Sequence, residues 1–204
     1  SLSGRNAFSG EIKSGLQGYT YTGSAAMYAR LRNGDKALSL MDAFVDKYVK
    51  ANTMYLEAGP VIETPLAAAR SLHDLLLQSH DGVVRIFPAL PRGWADVTVH
   101  RLRAEGGFEV SAVRRAGATR WVRIGSLAGE RCRVRVDLAA PITAVPALPL
   151  ARADDGTLAI DLPRGAAVLL LAAGETTAEV APVAVDAKAI NAFGSGRGLP
   201  QRKR

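Results

Sequence analysis

The sequence predicts an α+β protein in which helices come first and an antiparallel β-sandwich follows. Up to about residue 80, apolar residues recur at spacings of three and four, the period of a helix with one buried face. Beyond Asp81-Gly82 the pattern changes to short alternating runs divided by turn residues, as in a sheet with one covered face. The charges change at the same point, because arginines there alternate with apolar residues at solvent-facing strand positions.

The first helix is read over Ser24 to Arg32, with Asn33-Gly34 as residues that tolerate a left-handed end. Asp35 can cap the second helix, whose Leu38, Met41, Phe44, Val45, Tyr48 and Val49 form one apolar stripe. Asp42, Asp46, Lys47 and Lys50 fall off that stripe. A third helix starts at Thr64-Pro65, a capping residue followed by a proline in the first turn, and runs to about Ser79. Its Leu75-Leu76-Leu77 run is apolar over more than one face, which predicts cover on several sides.

Strands follow at Val83 to Phe87, Asp96 to Arg103 with one slip that reads as a bulge, and Phe108 to Val113. Arg120 to Ile124, Arg131 to Leu138, Thr157 to Leu162 and Ala167 to Leu171 continue the series, with Phe87, Phe108 and Trp121 as expected core aromatics. Asp137 to Pro149 is rich in proline and alanine and reads as a long connection. The resulting domains are a helical part over 1–82, a β-sandwich over 83–175 and a flexible basic tail over 176–204.

Composition excludes several function classes. A hydrophobic share of 48% with 22% charged residues is that of an ordinary globular chain, and no apolar run is long enough to span a membrane. The net charge of +7 raises nucleic acid as a partner. Residues 83 to 138 hold eleven Arg or Lys against five acids, but no zinc-finger spacing, glycine-rich phosphate loop or aromatic stacking motif accompanies them. A solvated basic sheet face accounts for the charge. Cys132 is the single cysteine, so no intrachain disulfide can form, and its place in an alternating strand predicts packing rather than reactivity. His73, His80 and His100 share no metal-ligand spacing, and no cofactor motif occurs.

Three helices are too few to close an all-α domain, so the first part reads as the end of something longer. Its Tyr28-Ala29-Arg30-Leu31-Arg32-Asn33-Gly34-Asp35-Lys36-Ala37 resembles the W-A-R-L-x-D-G-D-x-A segment of glycoside hydrolase family 95. Leu75-Leu76-Leu77-Gln78-Ser79-His80, followed by Ile86-Phe87-Pro88-Ala89-Leu90-Pro91, is similar to that family's M-L-L-Q-S-H and I-x-L-L-P-A-L-P blocks. Trp94, Leu102-Arg103-Ala104 and Gly106-Gly107-Phe108-Glu109-Val110 resemble its next segment, so that the likeness covers about residues 18 to 136. The resemblance implies the last helices of an (α/α) six-hairpin barrel before the sandwich, in an exported inverting α-L-fucosidase-like enzyme. Implied partners are a glycan substrate and the upstream part of the same barrel.

Inverting hydrolysis needs an acid for the leaving oxygen and a base for the attacking water, about 6.5–9.5 Å apart. The family's base system includes the aspartate of a Q-I-D-G-N-F-G segment, and counting back from His80 puts that position on Glu63. Glutamate thus stands where the family has aspartate, and Thr64-Pro65-Leu66 replaces Gly-Asn-Phe. A carboxylate before a helix N-terminus is favoured by the free backbone N–H groups and the helix dipole, so helix capping alone is the competing role. Glu57 and Tyr55, on the same loop, are candidates for lining a sugar pocket, with core packing as Tyr55's alternative. Tyr19 and Tyr21 are further candidates at the first helix, and buried packing is the simpler expectation for both. The family's general acid and two site asparagines have no counterpart here. The chain alone is therefore expected to be inactive. A carbohydrate-binding or structural module without catalysis is the rival reading.

Overall fold

The computed structural model describes residues 17–50, 54, 55, 57 and 61–184. The chain divides into two compact units, one carrying the helices as far as Leu75 and one running from Leu76 to Ala184. Three helices occur among the described residues: α1 (Gly18–Arg30), α2 (Gly34–Tyr48) and α3 (Glu63–Leu76).

Helix α1 starts six residues before the expected Ser24, and Gln17 offers no side-chain cap. At its other end Arg32, not Asn33 or Gly34, takes the left-handed conformation, with φ at 61°. Asn33 is occupied instead as the N-cap of α2, where its Oδ1 accepts the Lys36 N–H at 3.1 Å, so the expected cap at Asp35 is displaced by two residues. On α2, Ala37, Leu40 and Phe44 are buried, while Met41 and Val45, with Val49 just past the helix end, are half-buried and line an open apolar groove. The predicted stripe therefore splits between a core face and a groove face.

Helix α3 begins at Glu63, so Thr64 lies inside the first turn, wholly buried. Across the helices, Ser71 Oγ donates to the Thr22 carbonyl at 2.7 Å. Arg70 Nε donates to Asp74 Oδ1 at 2.9 Å, and Arg30 approaches Asp74 Oδ2 at 3.7 Å. The expected cover on several sides of α3 is not found: Leu75 is buried, but Leu72 is 41% and Leu66 61% exposed.

The helix does not continue to Ser79. Leu77–His80 is a strand, β1, paired antiparallel with β2 (Val83–Ile86) across Asp81-Gly82. Both turn residues have positive φ, 55° and 68°, the mirror-image two-residue turn that matches strand twist. Pairing Leu77 with Ile86 through His80 with Val83 replaces helical hydrogen bonds with a ladder and gives β2 a partner on its side away from β6.

The remaining strands are β3 (Val97–Ala104), β4 (Phe108–Arg115), β5 (Ala118–Ser126), β6 (Arg131–Arg135), β7 (Thr143–Val145), β8 (Ala151–Arg152), β9 (Leu158–Asp161) and β10 (Ala167–Leu171). They form two five-stranded sheets, β1-β2-β6-β9-β8 and β3-β4-β5-β10-β7. All pairs are antiparallel except β2 with β6, which run parallel. Two short strands, β7 and β8, thus occupy the stretch around the expected long connection. The slip in β3 is a real irregularity between Val99 and Leu102, and Arg101 at its centre has φ at 57°.

One apolar core joins both sheets, with Val84, Ile86, Cys132, Val134 and Ile160 from one and Val99, Val110, Val122, Ile124 and Leu170 from the other. Phe108 belongs to it and Phe87 packs half-buried against it. Trp121 is buried too, but with Val113 and Leu171 in a separate small cluster. Alternation puts these three on the outer face of the second sheet, since their neighbours Ala112, Val122 and Leu170 face the core. Residues 176–184 carry no regular structure, yet Ala181 is fixed to this sheet: its carbonyl accepts from Thr98 Oγ1 at 2.7 Å and Arg115 Nη2 at 2.8 Å. The rest of the expected tail lies outside the described residues.

Candidate functional site

The loop between α2 and α3 brings the predicted site residues to one end of the helical unit. Glu57 is drawn into the protein's own structure. Its Oε1 accepts the N–H of Gly18, the first residue of α1, at 2.6 Å, and Oε2 accepts from the Thr64 hydroxyl at 3.4 Å. One carboxylate therefore ties the first turns of α1 and α3 together, and favours the positive end of the α1 dipole. The approach is close: a Cβ on Gly18 would lie 3.0 Å from Glu57 Oε2 and 3.1 Å from Thr64 Cγ2. The cap missing from Gln17 is thus supplied from 39 residues away.

Beside this tie lies an aromatic cluster. Tyr55 packs against Phe44 and Tyr48 at centroid distances of 5.8 and 6.5 Å, and its hydroxyl is buried without a hydrogen-bond partner. Tyr55 also borders the apolar groove between α2 and α3, a cavity of about 280 Å³ lined by Met41, Val45 and Leu72 among others. Tyr21 is buried edge-on against Tyr48 at 6.0 Å, and Lys47 lies over its ring and donates to its hydroxyl. Burial raises the Tyr48 phenol above its ordinary pKa, and the neighbouring Tyr21 and Glu57 add to the effect. Tyr19, by contrast, is exposed.

Glu63 differs from Glu57 in every respect that matters for chemistry. It is the first residue of α3, it is exposed, and no hydrogen bond or ion pair engages it among the described residues. An exposed carboxylate with no partner among the described residues remains available to a substrate or a water. The two acids of this loop thus have separate roles in the geometry, one structural and one open.

In the second unit, the residues from β1 to the start of β9 follow a recognisable course. Residues 78–157 match the model for the glycoside hydrolase family 95, C-terminal domain. The match takes in most of the sandwich, from β1 through β8, and is a similarity of that stretch to the family's C-terminal domain. The matched stretch is thus similar to part of a glycoside hydrolase. A comparison with the curated proteins finds no match.

Cys132 is fully buried, and desolvation pushes its thiol up to about 12, so it is a packing residue. His80 Nδ1 lies 2.8 Å from Asp81 Oδ2 at the hairpin tip, where the contact holds the Asp81 carboxyl below its usual range. No group of three His, Cys, Asp or Glu able to hold a metal ion occurs among the described residues. No helix there is long and apolar enough to cross a membrane.

Sequence reasoning missed the buried carboxylate of Glu109 on the outer face of β4. Its side chain is 9% exposed, with Arg101 Nε donating to Oε1 at 3.0 Å and Arg103 Nη2 lying 3.3 Å from Oε2. A signal for it existed: an acid at an outward strand position opposite an arginine-rich strand is a cross-strand charge pair.

Proposed function

We propose that the chain is the C-terminal part of an inverting, α-L-fucosidase-like glycosidase acting on terminal sugars of glycans, with Glu63 as a carboxylate of its base system. The observation that carries this reading is the unengaged, exposed Glu63 carboxylate on the first turn of α3, in a loop whose other acid is consumed by Gly18 and Thr64. The similarity of residues 78–157 to the family 95 C-terminal domain supports the same direction.

In this reading Glu63 accepts a proton from the attacking water, or polarises the group that holds that water, while the acid that protonates the leaving oxygen comes from the upstream barrel. Glu57 acts indirectly by fixing the loop through the α1 and α3 termini. Tyr55 contributes packing that supports the loop rather than an open stacking face. The chain alone completes no hydrolysis, because one of the two required groups lies outside it. Export from the cell belongs to the same proposal.

The test is Glu63→Gln in the full-length enzyme, with kcat and melting temperature read on the same protein. The amide keeps the shape but cannot take a proton, so kcat falls by about a hundredfold or more while Tm stays within a few degrees. A variant with near-normal kcat and a lowered Tm makes Glu63 a helix-end residue and nothing more.

A further inference from the structure

The outer face of the second sheet carries a polar cleft that neither the apolar core nor the Glu63 loop uses. It encloses about 380 Å³ and is lined by His100, Arg101, Glu109, Ser111, Arg123 and Val180. The sheet register builds it. Arg103 pairs with Glu109, Glu109 with Gly125, and Ser111 with Arg123, so these positions share the outward face of three adjacent strands. Gly125 presents no side chain beside Glu109, and a Cβ there would meet Glu109 and Arg123 only at ordinary distances of 3.8 Å or more. The β3 irregularity keeps Arg101 on the outer face beside its neighbours: its backbone N–H donates to Ser111 Oγ at 3.0 Å and its Nε reaches Glu109.

Two observations single the cleft out from the rest of the basic surface. Glu109 is more than nine-tenths buried, yet its Oε2 receives no hydrogen bond, although Arg103 Nη2 stands 3.3 Å away. A buried carboxylate oxygen without a donor is costly unless something supplies one. Arg123, on the opposite side of Ser111, makes no ion pair among the described residues, so a guanidinium fork faces the cleft unused. Arg101 and Arg103 both pair with the Glu109 carboxylate and Arg123 lines the other side of the cleft, so three positive charges stand against one negative charge.

We propose that this cleft binds an acidic sugar residue, a uronate, as a non-catalytic glycan site. The guanidinium fork of Arg123 matches a carboxylate in two parallel hydrogen bonds, and Glu109 Oε2, uncovered when the exposed Arg103 side chain swings aside, accepts from an adjacent sugar hydroxyl. That combination of anion and vicinal hydroxyl is what a uronate offers and a simple inorganic anion does not. Neutral sugars are commonly gripped by an exposed aromatic face, but Trp121 on this sheet is buried against Val113 and Leu171. Charge therefore selects the ligand. The site is independent of the Glu63 reading and stands or falls without it.

Isothermal titration of the intact 204-residue chain at near-physiological salt tests the assignment, with trigalacturonate as probe and maltotriose and a sulfated trisaccharide as controls. The expected result is saturable binding of trigalacturonate and none of maltotriose. Arg123→Ala weakens binding by about tenfold or more, as the loss of hydrogen bonds between charged groups should. Arg123→Lys, which keeps the charge but not the fork, falls in between, and it answers the same question if the alanine variant does not fold. The proposal is overturned by absent saturable binding, by equal binding of maltotriose, by tighter binding of the sulfated probe, or by arginine variants that bind like the parent.

Discussion

The two units of this chain treat their apolar surface in opposite ways. The sandwich closes on itself: inward positions of both sheets meet in one core, and Val110, Val122, Ile124 and Leu170 are wholly inaccessible. The helical unit leaves comparable residues uncovered, with Ile62 71%, Leu66 61% and Met27 48% exposed, and it holds an open apolar groove lined by Met41, Val45 and Leu72. An uncovered apolar face of this kind marks a surface made for another partner. The sandwich thus carries its stability within itself, whereas the described helices leave apolar surface open, which a larger helical body such as the proposed barrel would cover.

Alanine substitutions on each side probe that contrast most strongly. Ile124→Ala empties a buried core position and is expected to cost about 2–5 kcal/mol. Leu66→Ala, at an exposed helical position, is expected to stay within about 0.5 kcal/mol in this chain. Urea unfolding monitored by circular dichroism compares the two, and a Leu66→Ala loss as large as that of Ile124→Ala would mean the helical unit already closes its own core.

The next contrast lies inside the helical unit, between its two loop acids. Glu57→Ala removes the acceptor of the Gly18 N–H and is expected to destabilise by about 1.5–3 kcal/mol. Glu63→Ala loses only a favourable helix-end charge, about 1 kcal/mol or less. Thermal melts of both variants check the ranking; equal losses would erase the distinction between a structural and an open carboxylate.

The smallest effect is a pH dependence in the sandwich. Asp155 accepts the Thr157 N–H at 2.9 Å, and this bond holds its carboxyl below the usual range, with Arg135 at 2.8 Å adding to it. A carboxyl lowered on folding stabilises the protein above its unfolded pKa of about 3.9 and loses that contribution as pH falls through the folded value. In Asp155→Asn the acid side of the stability curve should flatten slightly. An unchanged acid limb would show that this turn contributes nothing.

Much of the sandwich was legible because each strand carries its own alternation, and Ala167 to Leu171 matches β10 residue for residue. Strand β1 was not, because Leu75-Leu76-Leu77 is apolar in every register and a short apolar run does not separate helix from strand. The Asp81-Gly82 turn was the available clue, since two residues that tolerate positive φ between apolar runs signal a tight hairpin. Strands β7 and β8 are too short to show a period. In the candidate site, the helix-end position of Glu63 could be read from Thr64-Pro65 within one residue. The Glu57 tie could not, because its partner Gly18 is far away in sequence and carries no side chain to announce it.

The parallel pairing of β2 with β6 fixes an order of events when the chain folds. Val84 meets Val134 only after β3, β4 and β5 have been traversed, whereas those three strands join through short turns in a meander of local contacts. Closing a long loop before any contact rewards it is slow, so the meander should form first and the β2–β6 seam late. Pulsed hydrogen exchange during refolding would then protect amides of β4 and β5 ahead of those at Val84 and Val134. Simultaneous protection of both sets would mean that the seam and the meander consolidate in a single step.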